Sequence, residues 1–152
     1  MAAKSSETQE TLVESATVQL TGGCMCGAVR YQASAMPFAS DYCHCDSCRR
    51  SSGAPVTAWM DFLTEQVSIQ GEIAEFKSSE KIYRGFCPHC GSRLSFRHED
   101  YSNYTTLTVT SLDSPNLVSP TYHIFTEETP TWLTITDDLP RYLRGQPSYS
   151  GS

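Results

Sequence analysis

Short stretches in which apolar and polar residues alternate recur along most of this 152-residue chain. In Ala28–Gln32, Val29 and Tyr31 fall on one side of an extended backbone, with Arg30 and Gln32 on the other. In Val56–Phe62, the residues Val56, Ala58, Met60 and Phe62 share one face, opposite Thr57, Trp59 and Asp61. Thr106–Thr110 repeats the scheme, Leu107 and Val109 alternating with threonines. A period of two predicts half-buried antiparallel strands, because successive side chains point to opposite faces of a sheet. Shorter candidates are Val67–Gln70, Ala74–Lys77, Ile82–Phe86, Leu94–Arg97 and Tyr122–Phe125. Gly22-Gly23, Gly53-Ala54-Pro55, Gly71, Ser114-Pro115-Asn116 and Ser119-Pro120 punctuate the chain with turns. No long helical period is found. The expected class is therefore mainly β, in one domain.

Composition adjusts this picture only at the edges. Residues 1–16 lack a sustained apolar period and read as a mobile polar tail, residues 17–145 as the folded domain, and residues 146–152 as a second flexible tail. Hydrophobic residues make up 39% and charged residues 18%, which places the chain among globular proteins. The formal net charge is −6, and no run of Lys and Arg exceeds Arg49–Arg50. Nucleic acid and anionic membrane are therefore poor partners for it. No apolar run approaches the roughly 20 residues of a membrane helix, and the first residues carry no apolar signal segment. The expected location is cytoplasmic.

The cysteines change the picture. There are seven of them, an odd number that cannot pair fully into disulfides, and in a reducing compartment clustered cysteines point to metal binding or catalysis. All fall in three groups: Cys24-Met25-Cys26 between glycines, Cys43-His44-Cys45-Asp46-Ser47-Cys48, and Cys87-Pro88-His89-Cys90-Gly91. A C-x-x-C turn followed by glycine offers two thiolates along one edge of a tetrahedron. Cys24 and Cys26 can do the same if the backbone turns between them. The two pairs together give a closed four-sulfur site, which has a structural character. The middle group supplies three thiols and has no fourth cysteine, the arrangement of a catalytic zinc with an open position. Two alternatives stand beside it. A histidine (His44, His89, His98 or His123) closes the second site, or a C-x-x-C pair is a redox centre. The latter normally sits at a helix N-terminus in a βαβ unit, which the pattern does not predict here.

An all-thiolate zinc site is a weak Lewis acid but a good host for a further thiolate, a soft ligand on a borderline-soft metal. The chemistry it suggests is the making or breaking of a carbon–sulfur bond. Arg49 and Arg50 follow Cys48 and are candidates to bind the carboxylates of a peptide thiol, and Trp132, Tyr142 and Phe125 are candidate pocket walls, with core packing as the simpler reading of Phe125. The base is not identified; His44, Asp46 and Asp138 are candidates by position. His123 reads as a hydrogen-bonded structural residue.

Three elements, Gly22-Gly23-Cys24-x-Cys26-Gly27-x-Val29-Arg30-Tyr31, Cys43-His44-Cys45-x-x-Cys48-Arg49-x-x-x-Gly53-Ala54 and Phe86-Cys87-x-x-Cys90-Gly91-Ser92, resemble the glutathione-dependent formaldehyde-activating enzyme family, which includes centromere protein V. His123-Ile124-Phe125, Trp132 and Asp138-x-Pro140-Arg141-Tyr142 extend the likeness. The resemblance implies a β-tent fold of twisted antiparallel sheets with two zinc sites. The outer clusters (Cys24, Cys26, Cys87, Cys90) would be structural and the middle one (Cys43, Cys45, Cys48) catalytic. It further implies a carbon–sulfur lyase of the S-(hydroxymethyl)glutathione synthase kind, joining a thiol such as glutathione to a small carbonyl or other electrophilic carbon, or cleaving such a bond. The kinship with centromere protein V keeps a second class in play, a non-catalytic zinc-stabilised protein-interaction module. The sequence leaves the oligomeric state open, a homodimer included.

Overall fold

The computed structural model describes residues 18–146; the tail expected over residues 1–16 and most of that expected over 146–152 lie outside the described residues. In chain order the elements are β1 (Leu20–Gly23), β2 (Arg30–Ala33), β3 (Ala39–Cys43), α1 (Asp46–Ser52), β4 (Thr57–Leu63), β5 (Val67–Gln70), β6 (Ala74–Lys77), β7 (Ile82–Phe86), β8 (Arg93–His98), β9 (Tyr104–Thr108) and β10 (Tyr122–Ile124). Strands β5, β6 and β7 have the bounds expected from the alternation. Strands β1 and β3 and helix α1 were not expected. The strands form a three-stranded sheet, β1-β2-β5, and a seven-stranded sheet, β10-β3-β4-β9-β8-β7-β6. Neighbours are antiparallel except for β10, which runs parallel to β3 and so corrects the all-antiparallel expectation.

Helix α1 forms because its ends are capped. Cys45 at the N-cap accepts from the Cys48 N–H through Sγ, and Gly53 takes the left-handed conformation (φ 70°) that ends the helix. The pair Cys45-x-x-Cys48 therefore does sit at a helix start. The strands on either side, β3 and β4, are antiparallel neighbours, so the βαβ frame of a redox centre is absent there.

Alternation decides what each face of the large sheet does. From β4 and β9, Met60, Phe62 and Leu107 point to the three-stranded sheet and pack on Leu20, Tyr31 and Ala33, with Val109, Leu112 and Val118 closing the cluster. Gly22 on β1 lets the layers meet, since a Cβ there would stand 2.3 Å from the Tyr31 hydroxyl and 2.5 Å from the Ser111 carbonyl oxygen. Trp59 and Asp61 point the other way.

Phe62 has no measurable exposure in this cluster. Phe62→Ala is expected to cost about 3–5 kcal/mol of stability, read by chemical denaturation. A loss below about 1 kcal/mol would place the main core elsewhere.

Candidate metal centres and active-site cavity

The β1–β2 turn carries Cys24 and Cys26, and the β7–β8 turn carries Cys87 and Cys90. The four sulfurs lie within 4.8 Å of one another. The separations are 3.6 Å for Cys24–Cys26 and 3.8 Å for Cys26–Cys87. A tetrahedral zinc with Zn–S bonds of about 2.3 Å needs sulfurs about 3.8 Å apart, so the four thiols fit such an ion. Both turns are shaped by a left-handed glycine, Gly27 (φ 82°) and Gly91 (φ 74°), each donating its N–H back to the first cysteine of its turn, at 3.2 and 2.9 Å. Backbone N–H groups approach sulfur at Cys24 (from Val29, 3.2 Å) and Cys87 (from His89, 3.4 Å), and such donors stabilise thiolate. The Ser92 hydroxyl accepts from the Met25 N–H at 3.0 Å and stitches the two turns together.

The second cluster is built at the junction of β3 and α1. Cys43 ends the strand, Cys45 caps the helix and Cys48 lies in its first turn, and their sulfurs also fall within 4.8 Å of one another. Cys48 is 3% exposed. Its sulfur accepts from the Arg84 guanidinium (Nη1, 3.4 Å), whose Nε donates to the Ser78 hydroxyl at 3.1 Å while its face lies 5.4 Å from the centre of the Phe96 ring. Hydrogen bonds from Cys43 and Cys45, and then the Arg84 charge, hold the Cys48 thiol far below the usual range. The contacts with Cys45 and Cys48, together with burial, push Cys43 up. One buried cation against three crowded thiols suits a site that must hold sulfur as thiolate, and a thiol-only donor set suits zinc.

None of the four histidines joins either sulfur group among the described residues. His44 and His123 instead form a buried relay. The Thr129 hydroxyl pairs with His44 Nδ1 (2.9 Å), His44 Nε2 with His123 Nδ1 (2.8 Å), and His123 Nε2 with the Asp137 carboxylate (3.0 Å). Every group is satisfied if each ring is neutral and donates through Nε2 toward Asp137. Burial and the neighbouring His123 hold His44 below its usual value, in keeping with that state. The relay fixes the turn between Cys43 and Cys45 from behind, and the structural role expected of His123 agrees with it.

In front of the three thiols lies a cavity of about 490 Å³. Six strands of the large sheet line it, through alternate residues that share cross-strand rows. Asp61, Thr106, Phe96 and Arg84 form one row across β4, β9, β8 and β7, and Tyr122, Asp41 and Trp59 another across β10, β3 and β4. Burial, then repulsion from Asp61 and Cys48, lifts the Asp41 carboxyl to about 8, and its Oδ2 lacks a hydrogen-bond partner. Asp61 is also raised by burial, against the pull of the Thr106 hydroxyl, which donates at 2.6 Å.

The residues singled out in the sequence are distributed unevenly around this site. All seven cysteines are gathered as expected into a group of four and a group of three. Arg49 and Arg50 both pair with Asp46 and do not line the cavity. Trp132 is 74% exposed and lies away from it. His44, Asp46 and Asp138 are likewise absent from the lining, whereas Phe125, with the left-handed φ of 54°, is part of it. Tyr142 packs edge-on against Tyr122 at 6.0 Å. Sequence reasoning missed Asp41, Asp61 and Arg84. Asp61 was visible as a polar residue on the face of Val56–Phe62 shared with Trp59, and Arg84 as a lone charge within Ile82–Phe86.

The architecture defines a mainly β protein with two thiol clusters, one of them opening on a cavity. The chain belongs to the glutathione-dependent formaldehyde-activating enzyme family, whose sequence profile matches residues 19–128, a span that holds both clusters. An uncharacterized lyase of Schizosaccharomyces pombe is 29% identical over 82 residues, which is 54% of this chain and 60% of that protein. The chain thus spans about 60% of the length of the curated relative it matches. A Rhodobacter sphaeroides protein of known crystal structure shares the fold, with a TM-score of 0.53 at 17% identity over 66% of this chain and 96% of that one.

The histidine relay generates its own test. Asp137→Ala leaves the buried His123 Nε2–H without its acceptor and is expected to cost about 1–3 kcal/mol, measured by chemical denaturation of the metal-loaded protein. Unchanged stability would remove the relay from the account of how the Cys43–Cys45 turn is held.

Proposed function

We propose that this protein is a carbon–sulfur lyase that binds a thiol, glutathione or a related peptide thiol, at Cys43, Cys45 and Cys48 and forms or cleaves its bond to an electrophilic carbon. The observation that carries this reading is the convergence of three thiols, with no fourth protein ligand among the described residues, on the floor of a cavity. The family assignment supports it, as does the lyase name of the yeast relative. Cys24, Cys26, Cys87 and Cys90 are then the structural zinc ligands, joining a turn of the small sheet to a turn of the large one.

Zinc held by the three thiolates would supply a soft electrophilic position where an added thiol stays ionised and nucleophilic at neutral pH. The chain supplies the rest. Arg84 offsets the charge gathered on sulfur and fixes Cys48 from the cavity side. Trp59 and Phe96 exclude water from the floor, which strengthens the electrostatic contacts there. Asp61, held at one oxygen by Thr106, is the carboxyl positioned to pass a proton to or from the oxygen of a carbonyl substrate. Arg49 and Arg50, committed to Asp46, act on α1 and leave substrate carboxylates to the cavity mouth.

Metal analysis with thiol exchange tests this reading. Purified protein is expected to carry close to two zinc ions, and Cys48→Ser to lose about one while remaining folded. Glutathione should raise the sulfur coordination of the remaining open centre in X-ray absorption of the intact protein, and do nothing to the Cys48→Ser variant. Unfolding of Cys48→Ser as severe as that of Cys87→Ser, or a zinc centre indifferent to every thiol offered, would sink the proposal. Asp61→Asn is expected to slow carbon–sulfur bond turnover by about 10²–10⁴, with thiol binding retained.

A further inference from the structure

The cavity is large for a one-carbon electrophile. Its 490 Å³ falls within the roughly 300–1,000 Å³ of pockets that enclose drug-sized ligands, whereas formaldehyde has two heavy atoms. Its walls are also specific in character. Beside the three thiols, Trp59 packs against Phe96 with ring centres 6.0 Å apart, and Ile124 and Phe125 close the same cluster. On the far side stand Phe38, Tyr104 and Tyr101. The Phe38 and Tyr104 rings lie 5.1 Å apart in a tilted pair, and Tyr101 stacks on Tyr104 at 6.4 Å. These three rings are 47%, 38% and 45% exposed. Adjacent exposed aromatic rings around an opening are a surface left for a ligand.

The charges lining the cavity do not favour a polar occupant. Arg97 is held by both oxygens of Glu75, at 2.7 and 2.8 Å, and lies over the Tyr83 ring at 3.9 Å. Arg84 is held by Ser78 and Cys48. His98 Nδ1 accepts from the Asp100 N–H at 3.2 Å. The two carboxyls, Asp41 and Asp61, offer no positive charge to the carboxylates of a peptide thiol. Such a thiol can reach the floor with its sulfur, but its charged ends are better placed at the mouth. The aromatic volume is then left for whatever the sulfur is bonded to.

We infer that the carbon partner is an aromatic aldehyde, so that the adduct is the thiohemiacetal of a peptide thiol with an aryl carbaldehyde. This rests on the thiol-binding reading proposed above and narrows it. In the forward direction the thiol loses its proton and sulfur attacks the carbonyl carbon. The carbon–sulfur bond forms, the carbonyl π pair moves to oxygen, and oxygen takes one proton, so that thiol plus aldehyde equals adduct with no oxidant or reductant. The reverse step breaks the carbon–sulfur bond: the hydroxyl gives up its proton, the carbonyl re-forms, and the departing sulfur regains one proton. The aryl ring lies between Trp59 and Phe96 inside and Phe38 and Tyr104 at the rim.

Stable thioethers separate recognition from turnover. S-(4-nitrobenzyl)glutathione and S-methylglutathione are titrated calorimetrically into the zinc-loaded full chain. The aryl compound is expected to bind at least about tenfold more tightly, the worth of one or two aromatic contacts. Phe38→Ala and Tyr104→Ala, both at partly exposed positions, should each shrink that ratio, and Phe76→Ala, at a ring 63% exposed outside the cavity lining, should leave it unchanged. In turnover, 4-nitrobenzaldehyde with glutathione should show a higher kcat/KM than formaldehyde with glutathione. Equal binding of the two thioethers, together with glutathione-dependent change at the zinc, would overturn the aromatic assignment alone. Failure of both thioethers to bind, with a zinc centre that ignores glutathione, would overturn the thiol reading and this inference together.

Discussion

Everything at the cavity depends on the register of the seven-stranded sheet. Side chains alternate across a strand, so a slip of one residue would exchange the two faces. On β4 it would carry Met60 and Phe62 out of the core and bring Trp59 and Asp61 into it. Because paired residues share a face, the same register aligns Asp61 with Thr106, Phe96 and Arg84 across four strands. A residue on β7 thereby reaches a cysteine on α1, the contact between Arg84 and Cys48. The apolar side of the sheet holds this register by burying Leu20, Met60, Phe62 and Leu107 almost completely, and burial of such side chains contributes about 1.5–3 kcal/mol each.

How much of this could be read from the sequence follows from the same constraint. Strand β4 was legible because its core face is wholly apolar, and the face opposite still alternates. Strand β3 was not. Its cavity face carries Asp41 and Cys43 and its other face Ser40 and Tyr42, so the residues that build the site remove the apolar period that would betray a strand. Helix α1 was hidden for a related reason. Its seven residues depend on a cysteine cap and a left-handed glycine rather than on an apolar stripe. The cysteine groups were legible because metal-ligand spacing is local, and the division into four and three sulfurs agrees with it. Arg84, Asp41 and Asp61 were missed because their meaning comes only from cross-strand neighbours far away in the chain.

The electrostatics of the cavity wall follow from how few charges enter it free. The chain is acidic, yet among the described residues the cation in hydrogen-bond reach of the three-thiol cluster is Arg84, buried among Ser78, Phe96 and Cys48. An arginine so enclosed is costly unless its donors find acceptors, and a thiolate is an acceptor that returns charge as well as geometry. Arg84 and Cys48 thus support each other. Arg49 and Arg50 lie closer in sequence to the cluster but spend their charge on Asp46 at the surface of α1, where an ion pair contributes little. Contact with the sulfurs follows from burial and cross-strand register, not from proximity in sequence.

The two sulfur clusters differ in what surrounds them, and that difference bears on what each can do. Around Cys24, Cys26, Cys87 and Cys90 the backbone is turned by glycines, and its N–H groups point at sulfur. The neighbouring side chains that pack there are small and aliphatic, Val29, Ile73 and Leu94. Four sulfurs there already make a full tetrahedral set for an ion. Around Cys43, Cys45 and Cys48 the neighbours are Trp59, Phe96, Ile124 and Phe125, which stand off far enough to leave a cavity between the rows of the sheet. Phe125 holds a left-handed backbone conformation there, a costly state for a bulky residue. A fold that needed only a second cross-link could have filled this volume with aliphatic side chains and relaxed Phe125. An open, aromatic and strained setting suits a ligand better than an ion alone.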